Sequence, residues 1–167
     1  MPTNFALIGC GRIASKHIDA VRKHVNAELV ACSDVNIHRA TALAGSSGCI
    51  AYEDYREMLV GHPEIDVVSV LTPSGFHPGH VIDVARNYQK HIIVEKPMAL
   101  RLLDADEMIR ACDEAGVRLF VVKQNRFNLP VIRTRQAIDA GRFGRITMGT
   151  VRVRWRRDQA YYDQADW

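Results

Sequence analysis

Short apolar runs alternate with segments of helical periodicity over residues 1–122, and this alternation constrains the fold more than any other feature of the sequence. The apolar runs occupy residues 5–8, 29–32, 49–51, 66–71, 91–94 and 117–122. The helical segments between them occupy residues 13–21, 37–44, 54–60, 80–88 and 103–115. Runs that are apolar at most positions, not only at alternate positions, are typical of parallel strands buried on both faces. The sequence therefore predicts an α/β fold, in which helices cover both faces of a doubly wound parallel sheet of six strands.

The character of the chain changes after this region. A polar connection at residues 124–130 leads to a helical segment at 131–140, and residues 149–155 alternate between apolar and polar side chains. Such alternation predicts a strand in a sheet that is open on one side. One helix and one strand cannot bury a core of their own. We therefore expect residues 1–123 to form one complete domain, and residues 124–167 to be the incomplete beginning of an α+β substrate domain.

Composition and charge exclude several classes of function. The 22 Lys and Arg residues nearly balance the 19 Asp and Glu residues, and a net charge of +3 is too small to indicate a nucleic-acid or membrane-surface partner. No apolar stretch is long enough to cross a membrane, and no secretory signal precedes the first strand. The four cysteines form no C-x-x-C pair, and the histidines show no metal-ligand spacing. The expectation is a cytoplasmic protein that binds a small molecule and no metal.

A glycine-rich loop follows the first predicted strand. Residues 9–14 read Gly-Cys-Gly-Arg-Ile-Ala, the pattern G-x-G-x-x-A. In this pattern Gly9 permits a tight turn, Gly11 lets the backbone approach a pyrophosphate, and Ala14 lets the helix pack close to the strand. Since glycine turns between strand and helix also occur without a ligand, the loop alone is weak evidence. A purely structural turn is the alternative.

An acidic residue at the end of the second strand strengthens this interpretation. Asp34 lies 20 residues after Ala14, where a carboxylate would accept hydrogen bonds from an adenosine ribose. The same carboxylate would repel a 2′-phosphate, so the pair predicts NAD in preference to NADP. Arg39 could reach such a phosphate, although a solvated position in the following helix is the alternative for this side chain.

Two further motifs lie where the fourth and fifth strands end. They are Thr72-Pro73-Ser74-Gly75-Phe76-His77, a T-P-S-x-x-H loop, and Glu95-Lys96-Pro97. With the glycine loop, these motifs at this spacing resemble the glucose-fructose oxidoreductase, inositol dehydrogenase and rhizopine catabolism (Gfo/Idh/MocA) family over residues 1–155. Residues 122–128 and 155–162 further resemble its sugar-nucleotide branch, the UDP-N-acetylglucosaminuronate 3-dehydrogenases of lipopolysaccharide and O-antigen synthesis.

The resemblance implies a Rossmann domain that binds NAD, followed by a domain whose open sheet binds substrate and makes homo-oligomer contacts. It implies an oxidoreductase that oxidises a secondary hydroxyl of a sugar or UDP-sugar by hydride transfer. The implied cofactor-binding residues are Gly9, Gly11, Arg12, Ile13, Asp34, Thr72, Pro73, Ser74, His77 and Glu95. For His77 the alternative is a histidine that is satisfied by local backbone.

Lys96 is the implied catalytic residue, beside nicotinamide and substrate. Alcohol oxidation requires a group that takes the hydroxyl proton, which a lysine can do when its surroundings favour the neutral amine. The sequence leaves two other roles open, a donor that orients the substrate hydroxyl and an ion-pair partner of Glu95. The Lys96–Pro97 bond is a candidate for a cis peptide.

Arg126 and Asn128 are expected to contact the substrate, because clefts commonly form at the seam between two domains. Hinge packing is the alternative for both residues. Arg152, Arg154 and Arg156 could bind the phosphates or carboxylate of a nucleotide sugar, with a solvated sheet face or a subunit contact as the alternative.

One part of the family pattern has no counterpart in these 167 residues. The resemblance implies a second acid/base element, a D-x-G-x-H-type motif in the substrate domain. Without it, we expect this chain to bind NAD but to turn over sugar nucleotide poorly or not at all. Two other functions stay open, a catalytically silent NAD-binding module and a dehydrogenase of free polyols or monosaccharides.

Overall fold

The computed structural model describes residues 1–163, and its contacts divide the chain into a first unit, Met1–Lys123, and a second that begins at Gln124. The first unit contains a six-stranded parallel sheet in the order β3-β2-β1-β4-β5-β6. Its strands are β1 (Thr3–Ile8), β2 (Ala27–Ser33), β3 (Ile50–Tyr52), β4 (Val67–Val70), β5 (His91–Val94) and β6 (Leu119–Val121). The predicted doubly wound α/β fold is confirmed.

Helices connect each strand to the next. They are α1 (Ala14–Arg22), α2 (Ile37–Ser47), α3 (Tyr55–Gly61), α4 (His77–Asp83) and α5 (Leu102–Glu114). Asn36 and Asp54 cap α2 and α3, because their side chains accept hydrogen bonds from the amides two residues later. No helix within residues 1–163 is long and apolar enough to cross a lipid bilayer.

Both faces of the sheet are packed. On one face the alternate strand residues Ala6, Ile8, Val68, Val70 and Ile92 form a core with side chains of α3, α4 and α5. On the other face Leu7 and Cys32 pack against α1 and α2. All four residues of β4 are buried. Burial on both faces explains why the strand sequences are largely apolar.

The strand order reverses at β1. The chain runs outward from β1 through β2 to β3, and then returns to the other side of β1 to build β4, β5 and β6. The loops that follow β1 and β4 therefore leave the same edge of the sheet in opposite directions, which opens a crevice between them. In open α/β sheets this is the position where ligands bind.

One helix begins earlier than the sequence indicated. The predicted helix at residues 80–88 begins at His77 in the structure and continues beyond α4 as a π-helical turn, Val84–Tyr88. Pro78 stands in the first turn, where the missing N–H of proline disrupts no helical hydrogen bond and its fixed φ favours the helix. This proline permits the earlier start, which brings His77 into the helix.

The second unit has little regular structure. Its helices are α6 (Leu129–Asp139) and the single turn α7 (Gln159–Tyr162). The strand predicted at residues 149–155 is wrong for this chain: the segment is exposed and has no regular structure. A strand is held by a hydrogen-bonded neighbour, and the described part of this unit offers none. Residues 164–167 of the predicted second domain lie outside the described residues.

Candidate functional site

The glycine loop and the end of β4 are in direct contact. Gly9 has a φ of +100°, and its amide donates to the carbonyl of Ser33 at 2.8 Å. A Cβ added to Gly9 would lie 2.9 Å from the carbonyl carbon of Leu71 and 3.0 Å from the amide nitrogen of Thr72. Both the dihedral angle and the space admit only glycine here. Gly9 therefore allows β1 and β4 to meet at the switch point.

Gly11 is constrained differently. A Cβ added there would meet no protein atom within 4 Å, so its backbone faces open space. The helix α1 begins three residues later, with no side-chain cap and no acidic residue in its first turn. The amides of Ala14 and Lys16 already donate to the carbonyls of Gly11 and Ile13, so the positive end of the helix dipole is what this terminus offers to an anion. Ala14, fully buried, packs this helix against the sheet. The arrangement fits the pyrophosphate of a dinucleotide.

Asp34 lies at the mouth of this loop. Its Oδ2 accepts a hydrogen bond from the Cys10 amide at 2.8 Å, and its Oδ1 accepts one from the Asn36 amide at 2.9 Å. The side chain is half-buried. A carboxylate offers about four lone-pair positions, so each oxygen can still accept a hydroxyl of a ribose. The structure thus brings the predicted phosphate cradle and the predicted ribose acceptor into one pocket.

The T-P-S-x-x-H loop forms the opposite wall of the crevice. Thr72 is half-buried, and its Oγ1 lies 3.0 Å from Nδ1 of His80. Ser74 begins a 3-10 turn, Ser74–Phe76, in which the Phe76 amide donates to the Pro73 carbonyl at 2.9 Å. Burial, His77 and Arg56 together lower the pKa of His80, so its ring is neutral at neutral pH. The hydroxyl of Thr72 is therefore oriented by a neutral imidazole.

The structure places His77 away from any ligand-facing surface. Its ring is 1% exposed, and its two nitrogens contact the carbonyl oxygens of Thr72 and Pro97 at 2.7 Å and 2.9 Å. No ring nitrogen remains to contact a cofactor. The alternative considered above, a histidine satisfied by backbone, describes these contacts, although one carbonyl belongs to a distant segment.

Glu95 and Lys96 follow β5 at the same edge of the sheet. Glu95 is 8% exposed, and its Oε1 lies 3.1 Å from Nε2 of His17 in α1. Its Oε2 accepts a hydrogen bond from the Lys96 amide at 3.0 Å. The carboxylate is thus engaged by His17 and by backbone, and the two side chains of Glu95 and Lys96 form no ion pair. The Lys96–Pro97 peptide bond is cis, as its sequence position allowed.

Lys96 itself points its charge outward. The residue is exposed, and its ammonium has no hydrogen-bond or ion-pair partner among residues 1–163. A cationic donor at the end of β5, next to the switch point, can contact a substrate hydroxyl. The ion-pair alternative for Lys96 is not observed. Both remaining roles of Lys96, proton acceptor and orienting donor, stay predictions.

Two histidines of the site, His17 and His80, were not singled out by sequence reasoning. His17 contacts Glu95 across 78 residues of sequence, and no local pattern indicates such a pair. His80 had a weak signal: it follows His77 by three residues, which places both on one face of a helix. The remaining cofactor candidates, Arg12 and Ile13, lie exposed in the loop between Gly11 and α1.

The predicted substrate residues belong to the second unit. Arg126 lies in the 3-10 turn Gln124–Phe127, and Asn128 stands immediately before α6. Both are exposed, and Asn128 donates to the Asn125 side chain at 3.4 Å. Arg152, Arg154 and Arg156 are exposed in the segment without regular structure. The role of these residues in substrate binding stays a prediction.

Solved structures with similar folds include two dehydrogenases crystallised with a nucleotide and a sugar nucleotide. The WlbA dehydrogenase of Bordetella pertussis, in complex with NADH and UDP-GlcNAcA, shares 46% identity and a TM-score of 0.93 over 100% of this chain. The WlbA enzyme of Chromobacterium violaceum, crystallised with the same two molecules, shares 41% identity and a TM-score of 0.92 over 99%. This chain covers 52% and 48% of those two chains.

Curated relatives and a family model agree with this likeness. Inositol 2-dehydrogenase of Rhizobium meliloti is 35% identical over 158 residues, which is 92% of this chain and 46% of that protein. This chain thus spans about half the length of these relatives. The model of the GFO_IDH_MocA oxidoreductase family, described as an NAD-binding Rossmann fold, matches residues 3–123. The chain therefore belongs to the Gfo/Idh/MocA family of oxidoreductases, and its first unit is the NAD-binding Rossmann fold of that family.

Proposed function

We propose that the whole protein is an NAD-dependent dehydrogenase that oxidises a secondary hydroxyl of a nucleotide sugar, the 3-hydroxyl of a UDP-N-acetylhexosaminuronate. The observation that carries the proposal is the hydrogen bond of 2.8 Å between the Cys10 amide and Asp34 Oδ2. It unites a phosphate cradle and a ribose acceptor in one pocket at the switch point of the sheet. The proposed cofactor residues are Gly9, Gly11, Arg12, Ile13, Asp34, Thr72, Pro73, Ser74 and Glu95.

The cofactor residues favour NAD over NADP. The carboxylate of Asp34 accepts hydrogen bonds from ribose hydroxyls and repels a phosphate on the same ribose. Arg39, which could neutralise such a phosphate, is exposed in α2. Since Asp34 is held in place by two backbone amides, its charge stays at the ribose position.

Bound NAD supplies the hydride acceptor of the reaction. The residues of this chain bind and orient the reacting groups around it. Thr72, with its hydroxyl held by His80, lines the crevice on the β4 side. Lys96 extends from the end of β5, where its amino group takes the proton of the substrate hydroxyl or holds that hydroxyl in line for hydride loss. Glu95 fixes the Lys96 backbone through the Lys96 amide.

The choice of substrate rests on similarity and on charge. The two WlbA structures, crystallised with NADH and UDP-GlcNAcA, share more than 40% identity with almost the whole chain. Arg126 and Asn128 are proposed substrate contacts. The guanidinium groups of Arg152, Arg154 and Arg156 suit the phosphates and carboxylate of such a molecule. On this basis we assign the protein to lipopolysaccharide synthesis in the cytoplasm, as a homo-oligomer.

A second candidate is oxidation of a free polyol. The relatedness to inositol 2-dehydrogenase, 35% over 158 residues, favours it. It uses the same NAD pocket and the same Lys96, and it differs only in the substrate half of the protein. A third outcome is an NAD-binding module without turnover.

The deciding experiment follows NADH formation by the whole protein with three alcohols. These are UDP-GlcNAcA, UDP-GlcNAc as the same nucleotide sugar without the carboxylate, and myo-inositol. We expect turnover with UDP-GlcNAcA that is lost in the Lys96→Met variant. Turnover with myo-inositol alone would establish the second candidate, and NAD binding without turnover of any sugar would establish the third.

A further inference from the structure

We infer that His77 is a positioning residue of the site, which ties the Thr72 loop to the segment of Lys96 through both of its ring N–H groups. The inference rests on the proposed function, because it concerns the placement of Lys96 in that reaction. It gives His77 a role that differs from the cofactor contact expected from its motif. The ring acts on the reaction only through the two backbone segments that it joins.

The contacts of His77 join the ends of two neighbouring strands. Nε2 lies 2.7 Å from the carbonyl oxygen of Thr72, in the loop after β4. Nδ1 lies 2.9 Å from the carbonyl oxygen of Pro97, in the segment after β5. The paired residues end at Val70 and Val94, and one further backbone hydrogen bond follows, from the Glu95 amide to the Val70 carbonyl at 3.1 Å. The buried imidazole therefore connects the two segments at a point where the sheet has ceased to connect them.

The hydrogen count indicates the ionisation state of this ring. A carbonyl oxygen can only accept a hydrogen bond, whereas a neutral imidazole has one N–H and one lone pair. A neutral ring in this place would direct its lone pair at a carbonyl oxygen less than 3 Å away. Two short contacts with two acceptors instead require two N–H donors, which is the imidazolium form.

The groups around His77 decide what stabilises this charge. Within the described part of the chain no carboxylate lies within hydrogen-bond distance of His77, so the two carbonyl dipoles stabilise its charge. Hydrogen bonds to a charged donor are the stronger kind.

The consequence for Lys96 follows from what holds its two neighbours. On the N-terminal side the Glu95 carboxylate accepts a hydrogen bond from the Lys96 amide at 3.0 Å, and its other oxygen contacts His17 of α1. On the C-terminal side His77 holds the Pro97 carbonyl. The Lys96 backbone is thus fixed from both sides, while its ammonium has no partner in residues 1–163. His77 sets the distance between Lys96 and the Thr72 loop.

The test compares His77→Gln with His62→Gln in the whole protein. A glutamine side chain has a single amide nitrogen and cannot reach both carbonyls, whereas His62 contacts Tyr52 and Glu64, away from the site. Since small misplacements of a reacting group can lower rates by about a hundredfold, we expect kcat to fall by about that factor in His77→Gln. The dissociation constant for NAD should rise by less than about tenfold, because the Gly9–Asp34 pocket is untouched and only the Thr72 side of the cofactor site loses a contact. His62→Gln should leave both constants unchanged.

A measurement on the unmutated protein tests the two-donor contact without relying on activity or on the folding of a variant. Long-range ¹H–¹⁵N correlation spectra of histidine-labelled protein at neutral pH report each ring nitrogen, and the signal absent in His77→Gln identifies His77. We expect both nitrogens of His77 to carry protons. A neutral ring, or an unchanged kcat in a folded His77→Gln variant, would overturn the inference. If wild type shows no turnover of any sugar, the proposed function fails, and the spectrum still decides the protonation of His77.

Discussion

Substituting the two glycines of the first loop one at a time should show that Gly9 is needed for stability and Gly11 for cofactor binding. In Gly9→Ala the new Cβ would lie 2.9 Å from the Leu71 carbonyl carbon, in a backbone with φ of +100°. In Gly11→Ala the same atom meets no protein atom within 4 Å, and the backbone is outside the left-handed region. The two variants add the same methyl group to neighbouring positions of one loop, so each is the control of the other.

The expected magnitudes follow from these geometries. A left-handed conformation costs a non-glycine residue roughly 1–2 kcal/mol, and overpacking against backbone costs roughly 1–3 kcal/mol. Gly9→Ala should therefore lose about 2–5 kcal/mol from the free energy of unfolding. Gly11→Ala should keep its stability or gain about 0.4–1 kcal/mol, because alanine restricts the unfolded chain. Its methyl group occupies the space of the pyrophosphate, so NAD affinity should fall at least tenfold, about 1.4 kcal/mol.

Urea denaturation measures the free energy of unfolding of each variant, and calorimetric titration measures its affinity for NAD. We expect a destabilised Gly9→Ala variant and a stable Gly11→Ala variant that binds NAD poorly. If Gly11→Ala bound NAD as wild type does, the open space beside Gly11 would not be the phosphate site. If Gly9→Ala were as stable as wild type, the close contact between β1 and β4 would be refuted.

Three further substitutions test other parts of the account. Asp34→Asn should weaken NAD binding by about 1.5–3 kcal/mol, since it removes a charged acceptor. Calorimetry should also show a smaller difference between the affinities for NAD and NADP than in the wild type. Lys96→Met should lower kcat by about a hundredfold to ten-thousandfold while the NAD dissociation constant stays unchanged. If kcat and the affinity for NAD fell by the same factor, the proposed role of Lys96 would be contradicted. Burial raises the pKa of Asp83, but hydrogen bonds from Tyr55 and Asn87 and the charge of Arg56 outweigh it, so the net pKa is lowered. Its stabilisation is present above the ordinary aspartate pKa of about 3.9 and lost as pH falls through the lower folded value. Urea denaturation of Asp83→Asn should therefore show a deficit in the free energy of unfolding at neutral pH that shrinks as the pH falls below the ordinary aspartate pKa of about 3.9. A deficit independent of pH would contradict this assignment.

Local sequence predicted the sheet well because its determinants are local. Strands buried on both faces are apolar at most positions, and β4, in which three of the four buried residues are valine, shows this directly. The pairing of Gly9 and Gly11 with Asp34 was equally accessible, since the spacing of this pocket is set by one strand and one helix. Both the buried strands and the pocket of the glycine loop with Asp34 could therefore be predicted from residues close together in the sequence.

The features that sequence reasoning missed depend on distant partners. His77 reaches Pro97 across 20 residues and His17 reaches Glu95 across 78, and neither contact leaves a periodic signal. The segment at 149–155 has the alternation of a strand, but a strand exists only beside a neighbour, and none is present in the described part of the second unit. Alternating apolar and polar side chains show which face of a strand would be buried, but only a neighbouring strand supplies the backbone hydrogen bonds that hold it.

The most direct test of the central claim is a titration of ¹⁵N-labelled protein with NAD, followed by the backbone amide signals. If the dinucleotide occupies the pocket between the glycine loop and Asp34, the amides of Gly11, Arg12 and Ile13 should shift most, together with that of Asn36, whose partner is Asp34 Oδ1. The shifts should saturate with a single site per chain, and NADP should produce them only at much higher concentration. Saturable shifts confined to other parts of the sheet, or no shift at these amides, would contradict the account.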